Sequence, residues 1–324
     1  MKFALSEMTY LKFFLPLIIE GNKRNISSTM LVGPSHKYNC PYLYKDYLEK
    51  LSKTYSFKIK LVEKNTEEKD ILFVVEGNLV NLIKSKKKTI SLCCSTDFSV
   101  LYESYVDNVD NVIFSSKFIS ELYNKKNEKN LYLGTPKFDC ELKKENIFNN
   151  YNFNRDKKIV TIFYPRIRDI KSCPLEKIVK FLKEMNYQVV LKSRGKDPFI
   201  ESHKLIADKF FYDTSWHPHT SLELIKVSDL IINFSSTVIE ETTFFEKPLI
   251  NFHIKPFKKP LDFLYDFNFV KNLELNFSKE DLERSIWDLA NNDLKKDFNS
   301  ASSLLLETKT SSKDILDFIE KNNY

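Results

Sequence analysis

The chain has 324 residues, 42% of them hydrophobic and 29% charged, with a formal net charge of +6. That length exceeds the usual single domain of about 100–200 residues and implies two domains, while the composition excludes a fibrous repeat or long disorder. Lysines are interleaved with Asp and Glu, so there is no dense basic stripe to bind nucleic acid, and the mild positive balance suits an anionic ligand or a membrane surface.

In the first half, the hydrophobic pattern predicts strands over residues 2–5, 28–32, 57–62, 71–75, 89–93 and 112–114. Helices are predicted between them over 11–20, 42–53, 78–84 and 117–124. The apolar run from Phe13 to Ile19 is too short to span a bilayer core of about 30 Å, and reads as the buried face of a helix. A polar, Asn-rich stretch over 143–157 then predicts a linker. The second half predicts strands over 158–163, 188–192, 229–233 and 248–252, with helices over 175–185, 221–227, 238–245, 279–291 and 312–321. Such alternation predicts an α/β architecture of two Rossmann-like, doubly wound parallel-sheet domains, residues 1–150 and 151–324, facing across a cleft. The last helix is expected to cross back onto the first domain.

The five cysteines, Cys40, Cys93, Cys94, Cys140 and Cys173, are odd in number and lack C-x-x-C spacing. Neither a disulfide framework nor a zinc site is indicated, and a reducing cytoplasm is the simple reading. Four of the five glycines, Gly33, Gly77, Gly134 and Gly195, fall where a strand hands over to a loop, the end of a parallel sheet at which ligands collect.

The most informative run is VSDLIINFSSTVIEETTFFEKPLINF, residues 227–252. A buried strand leads into Ser235, Ser236 and Thr237, and a helix opens directly behind them. Amides at a helix start have no internal partner and carry partial positive charge, so with the hydroxyls they suit a diphosphate. Glu240 and Glu241 sit one turn inside, placed to accept ribose hydroxyls. The same letters also serve an ordinary Ser/Thr cap with an acidic first turn. Lys192, Arg194 and Lys196 crowd the end of another strand, where they suit a diphosphate or form a solvated basic loop. Trp216 and His217 lie in a loop ahead of the 221–227 helix, and no Cys or carboxylate cluster joins His217 and His219 to make a metal site.

The run SDLIINFSSTVIEE…EKPLINF resembles the signature of one branch of the GT-B superfamily, which holds CDP-glycerol glycerophosphotransferases and UDP-GlcNAc 2-epimerase-like enzymes. LYLGTPKFD, residues 131–139, resembles the segment that precedes the linker in that branch. With the alternation around them, these pieces cover most of residues 70–255. The resemblance implies a GT-B-like fold, with donor phosphates and ribose on the Ser235–Glu241 segment and the basic loop. It also implies nucleotide contacts from Trp216 or His217, an acceptor in the first domain, and no metal or other cofactor. A base for transfer is then expected at a strand end of the first domain: His36, Glu76 or Asp97, with Glu76 favoured because it lies between an apolar strand and a Gly-Asn turn.

Two departures shape the expectation. Where the glycerophosphotransferases carry K-x-H-P, this chain has Lys192-Ser193-Arg194-Gly195-Lys196, without the histidine. Where hydrolysing epimerases carry H-R-x-E-N, it has Phe163-Tyr164-Pro165-Arg166-Ile167-Arg168-Asp169, without that His or Glu. Transfer therefore ranks above epimerisation. The expected function is transfer of a sugar or polyol phosphate from a CDP-, UDP- or CMP-linked donor to a glycan or lipid-linked acceptor in surface polysaccharide synthesis. The expected setting is the cytoplasm or the inner membrane surface, with the 11–20 helix, Lys23 and Arg24 available for peripheral contact. An epimerase-like enzyme and a non-catalytic GT-B-like binding protein are the alternatives.

Overall fold

The computed structural model describes residues 1–33, 45–63, 65–93, 102–122, 124–166, 168–193, 199–212, 220–254 and 260–322. It forms two compact units, Met1–Cys140 with Leu304–Tyr324, and Glu141–Ser303. The division thus falls at Cys140, ahead of residue 150, and much of the expected linker is a helix, Lys144–Tyr151. Asn146, Asn149 and Asn150 are exposed, while Ile147 packs with Phe153, Ile159, Val190, Leu224 and Val227 in the second unit's core. The polar face of this short amphipathic helix dominates the composition and hides its narrow apolar stripe.

In the first unit, chain order runs β1 (Lys2–Leu5), α1 (Leu11–Lys23), β2 (Thr29–Val32), α2 (Lys45–Tyr55), β3 (Lys58–Leu61), β4 (Thr66–Glu68), β5 (Leu72–Val75), β6 (Ile83–Ser85) and β7 (Thr89–Leu92). It continues with α3 (Tyr102–Tyr105), β8 (Asn111–Phe114), α4 (Lys117–Leu122) and β9 (Asn130–Tyr132). Seven strands form one parallel sheet in the order β3-β2-β1-β5-β7-β8-β9. Every residue of β5 and β7 is buried, as expected of central strands covered on both faces. Phe3 stacks on Phe73 and tilts against Phe14, each at 5.3 Å between ring centroids. The helix expected over 78–84 is replaced by turns leading into β6, which pairs in parallel with β4. Positive φ at Glu76, Gly77 and Leu79 prevents a helix from starting there.

The second unit runs α5 (Lys144–Tyr151), β10 (Ile159–Phe163), α6 (Leu175–Glu184), β11 (Gln188–Lys192), α7 (Glu201–Ile206), β12 (Lys209–Phe211) and α8 (Thr220–Val227). β13 (Leu230–Asn233), α9 (Val238–Phe244), β14 (Leu249–Phe252), β15 (Val270–Leu273) and α10 (Lys279–Asn291) follow. Its sheet is also parallel, in the order β12-β11-β10-β13-β14-β15. A capping box between Ser278 and Asp281 starts α10, which satisfies two orphan donors reciprocally. α11 (Lys295–Leu305) then leads to α12 (Ser311–Lys321) in the first unit.

LYLGTPKFD acquires a physical role at α12. Gly134 has φ +76°, and a Cβ there would lie 2.9 Å from the Thr308 side chain and 3.1 Å from Ser311. Ser311 donates its hydroxyl to the Leu133 carbonyl at 2.6 Å. Thr310 makes no side-chain cap bond; the Asp139 carboxylate accepts the Ser312 amide in its place, putting negative charge at the helix's positive end. On the opposite flank the Arg24 guanidinium is 2.8 Å from Asp317, 3.1 Å from Glu320 and 3.1 Å from Glu20.

Candidate functional site

In an open parallel sheet, the crevice for a ligand lies at the carboxyl ends of the strands where the strand order reverses. In the second unit that point falls between β10 and β13, and the Ser235–Thr237 turn leaves β13 there. Three asparagines build the turn. Asn233 is level with Asn251, and Asn251 with Asn272, across β13, β14 and β15. The Asn233 side-chain oxygen accepts the amides of Phe234 at 2.9 Å and Ser236 at 3.1 Å. Its amide group donates to the Ser236 carbonyl at 3.0 Å and the Tyr265 hydroxyl at 3.2 Å.

Asn251 accepts the Ser235 amide at 2.9 Å and donates to Asn272 at 3.0 Å. Asn272 in turn donates to the Tyr265 carbonyl at 3.0 Å. Ser235 is held at φ +49°, a left-handed conformation costly for a residue with a Cβ. Sequence reasoning stopped at Asn233 as a strand end and missed the ladder, although an asparagine at or near the end of each of three strands was the available signal.

Thr237 precedes α9 without a side-chain cap bond. Glu240 and Glu241 are 3% and 9% exposed, so α9 turns both inward.

At the end of β11, Lys192 is buried and its ammonium donates to the Ser193 carbonyl. The Lys192 carbonyl accepts the Tyr164 amide at 2.8 Å, fastening the end of β11 to the end of β10. The Ser193 hydroxyl is buried and has no partner among the described residues. Arg194, Lys196, Trp216 and His217 lie outside the described residues.

Beside the same strand ends is a pair the sequence did not suggest. The Tyr164 hydroxyl accepts the Ile200 amide at 3.2 Å and is 2.7 Å from His203 Nδ1. The Tyr164 hydroxyl and His203 Nδ1 thus share a hydrogen bond, and His203 Nε2 lies 3.9 Å from Glu176. Burial pushes the Tyr164 phenol up and the His203 imidazole down.

In the first unit the order reverses between β1 and β5, and Glu76 follows β5 at that point. Glu76 is 5% exposed, with φ +48°. The Tyr105 hydroxyl donates to Glu76 Oε2 at 3.2 Å, and the Gly77 amide donates to the Ser91 hydroxyl at 3.1 Å. Cys93 Sγ is 3.9 Å from the same phenol oxygen. His36 and Asp97 lie outside the described residues. Among the described residues, no cluster of three His, Cys, Asp or Glu side chains is spaced to hold a metal, and no helix is long and apolar enough to cross a membrane.

No protein-family model matches the chain, and no curated protein matches it in sequence. Solved structures match its fold over 99% of its length. A variant of the wall teichoic acid polymerase TagF soaked with CDPG has a TM-score of 0.70 at 14% identity, with 88% of that chain covered. The S. aureus MnaA–UDP co-structure has a TM-score of 0.60 at 13% identity, with 96% covered. A structure named as a UDP-N-acetylglucosamine 2-epimerase from Listeria monocytogenes has a TM-score of 0.65 at 11% identity, with 95% covered. The chain thus has a GT-B-like fold of two Rossmann-like units.

Proposed function

We propose that this protein is a transferase that moves a sugar or polyol phosphate from a nucleotide-activated donor to a hydroxyl of a glycan or lipid-linked acceptor. The observation that carries this reading is the Ser235–Thr237 turn, fixed by the asparagine ladder at the point where the second unit's strand order reverses. The likeness over 99% of the chain to structures named with CDPG and with UDP supports a nucleotide donor.

In this reading Ser235, Ser236 and Thr237 hold the donor phosphates with Lys192, Arg194 and Lys196. Glu240 and Glu241 act on the ribose, and Trp216 and His217 on the base. Glu76 is the favoured proton acceptor, with His36 and Asp97 as the other candidates. For a polyol phosphate, the acceptor oxygen forms a new O–P bond. The P–O bond to the nucleotide phosphate breaks with its electron pair, and the acceptor's proton passes to the base. Catalysis is then positioning plus charge stabilisation of the departing nucleotide, without a metal. The reading sets the enzyme in the cytoplasm, at the membrane surface where lipid-linked acceptors lie.

The test is thermal denaturation with CDP, UDP, GDP and CMP. A rise in melting temperature with one of them, weakened by Lys192→Ala, supports the reading; no shift with any at millimolar concentration refutes it. The likeness to the Listeria structure favours a second reading, a nucleotide-sugar 2-epimerase, which predicts interconversion of a free donor with no acceptor present. A non-catalytic binding protein would bind nucleotide and turn over no donor.

A further inference from the structure

We infer that Tyr105 is a positioning residue that fixes the Glu76 carboxylate as a proton acceptor at the end of β5. The inference rests on the transfer reading, in which Glu76 takes the proton of the acceptor hydroxyl.

The geometry ties the two residues together in three ways. The Tyr105 phenol, on a residue 3% exposed, donates to Glu76 Oε2 at 3.2 Å. The backbone at Glu76 is held in place from several sides: the Asn78 amide and side chain both donate to the Val75 carbonyl, at 3.0 and 2.8 Å, and the Gly77 amide donates to Ser91 at 3.1 Å. The Tyr105 side chain itself lies against Gly77, where a Cβ would come within 2.2 Å of it. Two successive left-handed residues, Glu76 at φ +48° and Gly77 at φ +63°, therefore aim the carboxylate. Strain of this kind persists only where surrounding structure over-determines it.

The phenol cannot exchange roles with the carboxylate. Burial, reinforced by Cys93 and Glu76 beside it, pushes Tyr105 far above the usual phenol range. It stays a donor, and a hydrogen bond donated to a carboxylate favours the ionised form. Glu76 receives the proton and Tyr105 holds its acceptor, so a hydroxyl nucleophile is served by a base that does not swing.

The experiment compares wild type with Tyr105→Phe, which keeps the ring over Gly77 and removes only the donor. The measurement is nucleotide release from CDP-glycerol and UDP-N-acetylglucosamine across the acid range. The expected result is an acidic limb of the kcat profile displaced upward by about one pH unit, from loss of one hydrogen bond to a charged group, with donor KM unchanged. An unmoved limb with a uniform fall in kcat, or a change in KM alone, overturns the inference. Should wild type release no nucleotide from these two donors, thermal denaturation with the nucleotides decides the transfer reading. Difference infrared spectroscopy of wild type against Glu76→Gln then follows the carboxylate directly: a midpoint that does not move in Tyr105→Phe overturns the coupling, and one that rises supports it.

Discussion

Asn251 accepts the amide of Ser235 at 2.9 Å from the strand beside it, and Ser235 takes a left-handed backbone to meet it. The shape of the Ser-Ser-Thr turn is thus set by a side chain of β14 as well as by its own residues. Asn251 is fully buried, so its side chain has no water as a substitute partner.

Replacing Asn251 with Leu should therefore leave the Ser235 amide and the Asn272 side chain without their partner. A loss of about 1–3 kcal/mol in unfolding free energy is expected in urea titration. The nucleotide-dependent rise in melting temperature should shrink more than in Asn272→Leu, which leaves the Ser235 bond intact. Equal effects of the two variants on nucleotide binding would show that the ladder serves stability alone.

Gly77→Ala brings two costs together, a left-handed φ of +63° and a Cβ 2.2 Å from the Tyr105 side chain. The expected destabilisation is about 2–4 kcal/mol, read from chemical denaturation. Tyr105→Ala should cost less stability in the Gly77→Ala background than in wild type, because it opens the space the new Cβ needs.

His203 is held neutral by burial, which pushes it below its ordinary value of 6.5. The unfolded chain binds a proton there at a pH where the folded chain does not, so the stability of the neutral form is present above 6.5 and is lost as pH falls through it. Wild type should lose stability on acidification more steeply than His203→Gln, and the difference should level off below the folded-state value. Parallel stability curves for the two proteins would contradict this placement.

Lys247 is pushed down to about 8, first by burial and then by Lys144, against an ordinary 10.5. Stability should accordingly rise with pH between 8 and 10.5, and Lys247→Met should flatten that rise. Limited acylation followed by peptide mass spectrometry should find Lys247 among the first amines modified near pH 8. A stability curve for wild type that rises between pH 8 and 10.5 no more than that of Lys247→Met would contradict this placement.

The strand–helix alternation was legible because burial on both faces writes β5, β10 and β13 as short apolar runs, and helix period marks α1, α6 and α10. α5 was not, because its asparagines outnumber the stripe that Ile147 carries into the core. β12 is illegible for a related reason, being a short edge strand with Phe210 exposed and its neighbours only partly buried. The turn after β5 looked helical because Leu79 and Val80 have the composition of a helix, while their conformation depends on the packing of Tyr105 over Gly77.

What the sequence determined by itself was the two parallel sheets, the Ser235–Thr237 turn at a strand's carboxyl end and Glu76 at another. These follow from burial pattern and turn chemistry within a few neighbouring residues. Only the tertiary structure decided that Asn233, Asn251 and Asn272 stand level, that Tyr164 meets His203, that Tyr105 grips Glu76 and that Asp139 caps the last helix. Those relationships depend on register and on helices packed across long sequence separations, and a local pattern carries no information about which distant residue will arrive.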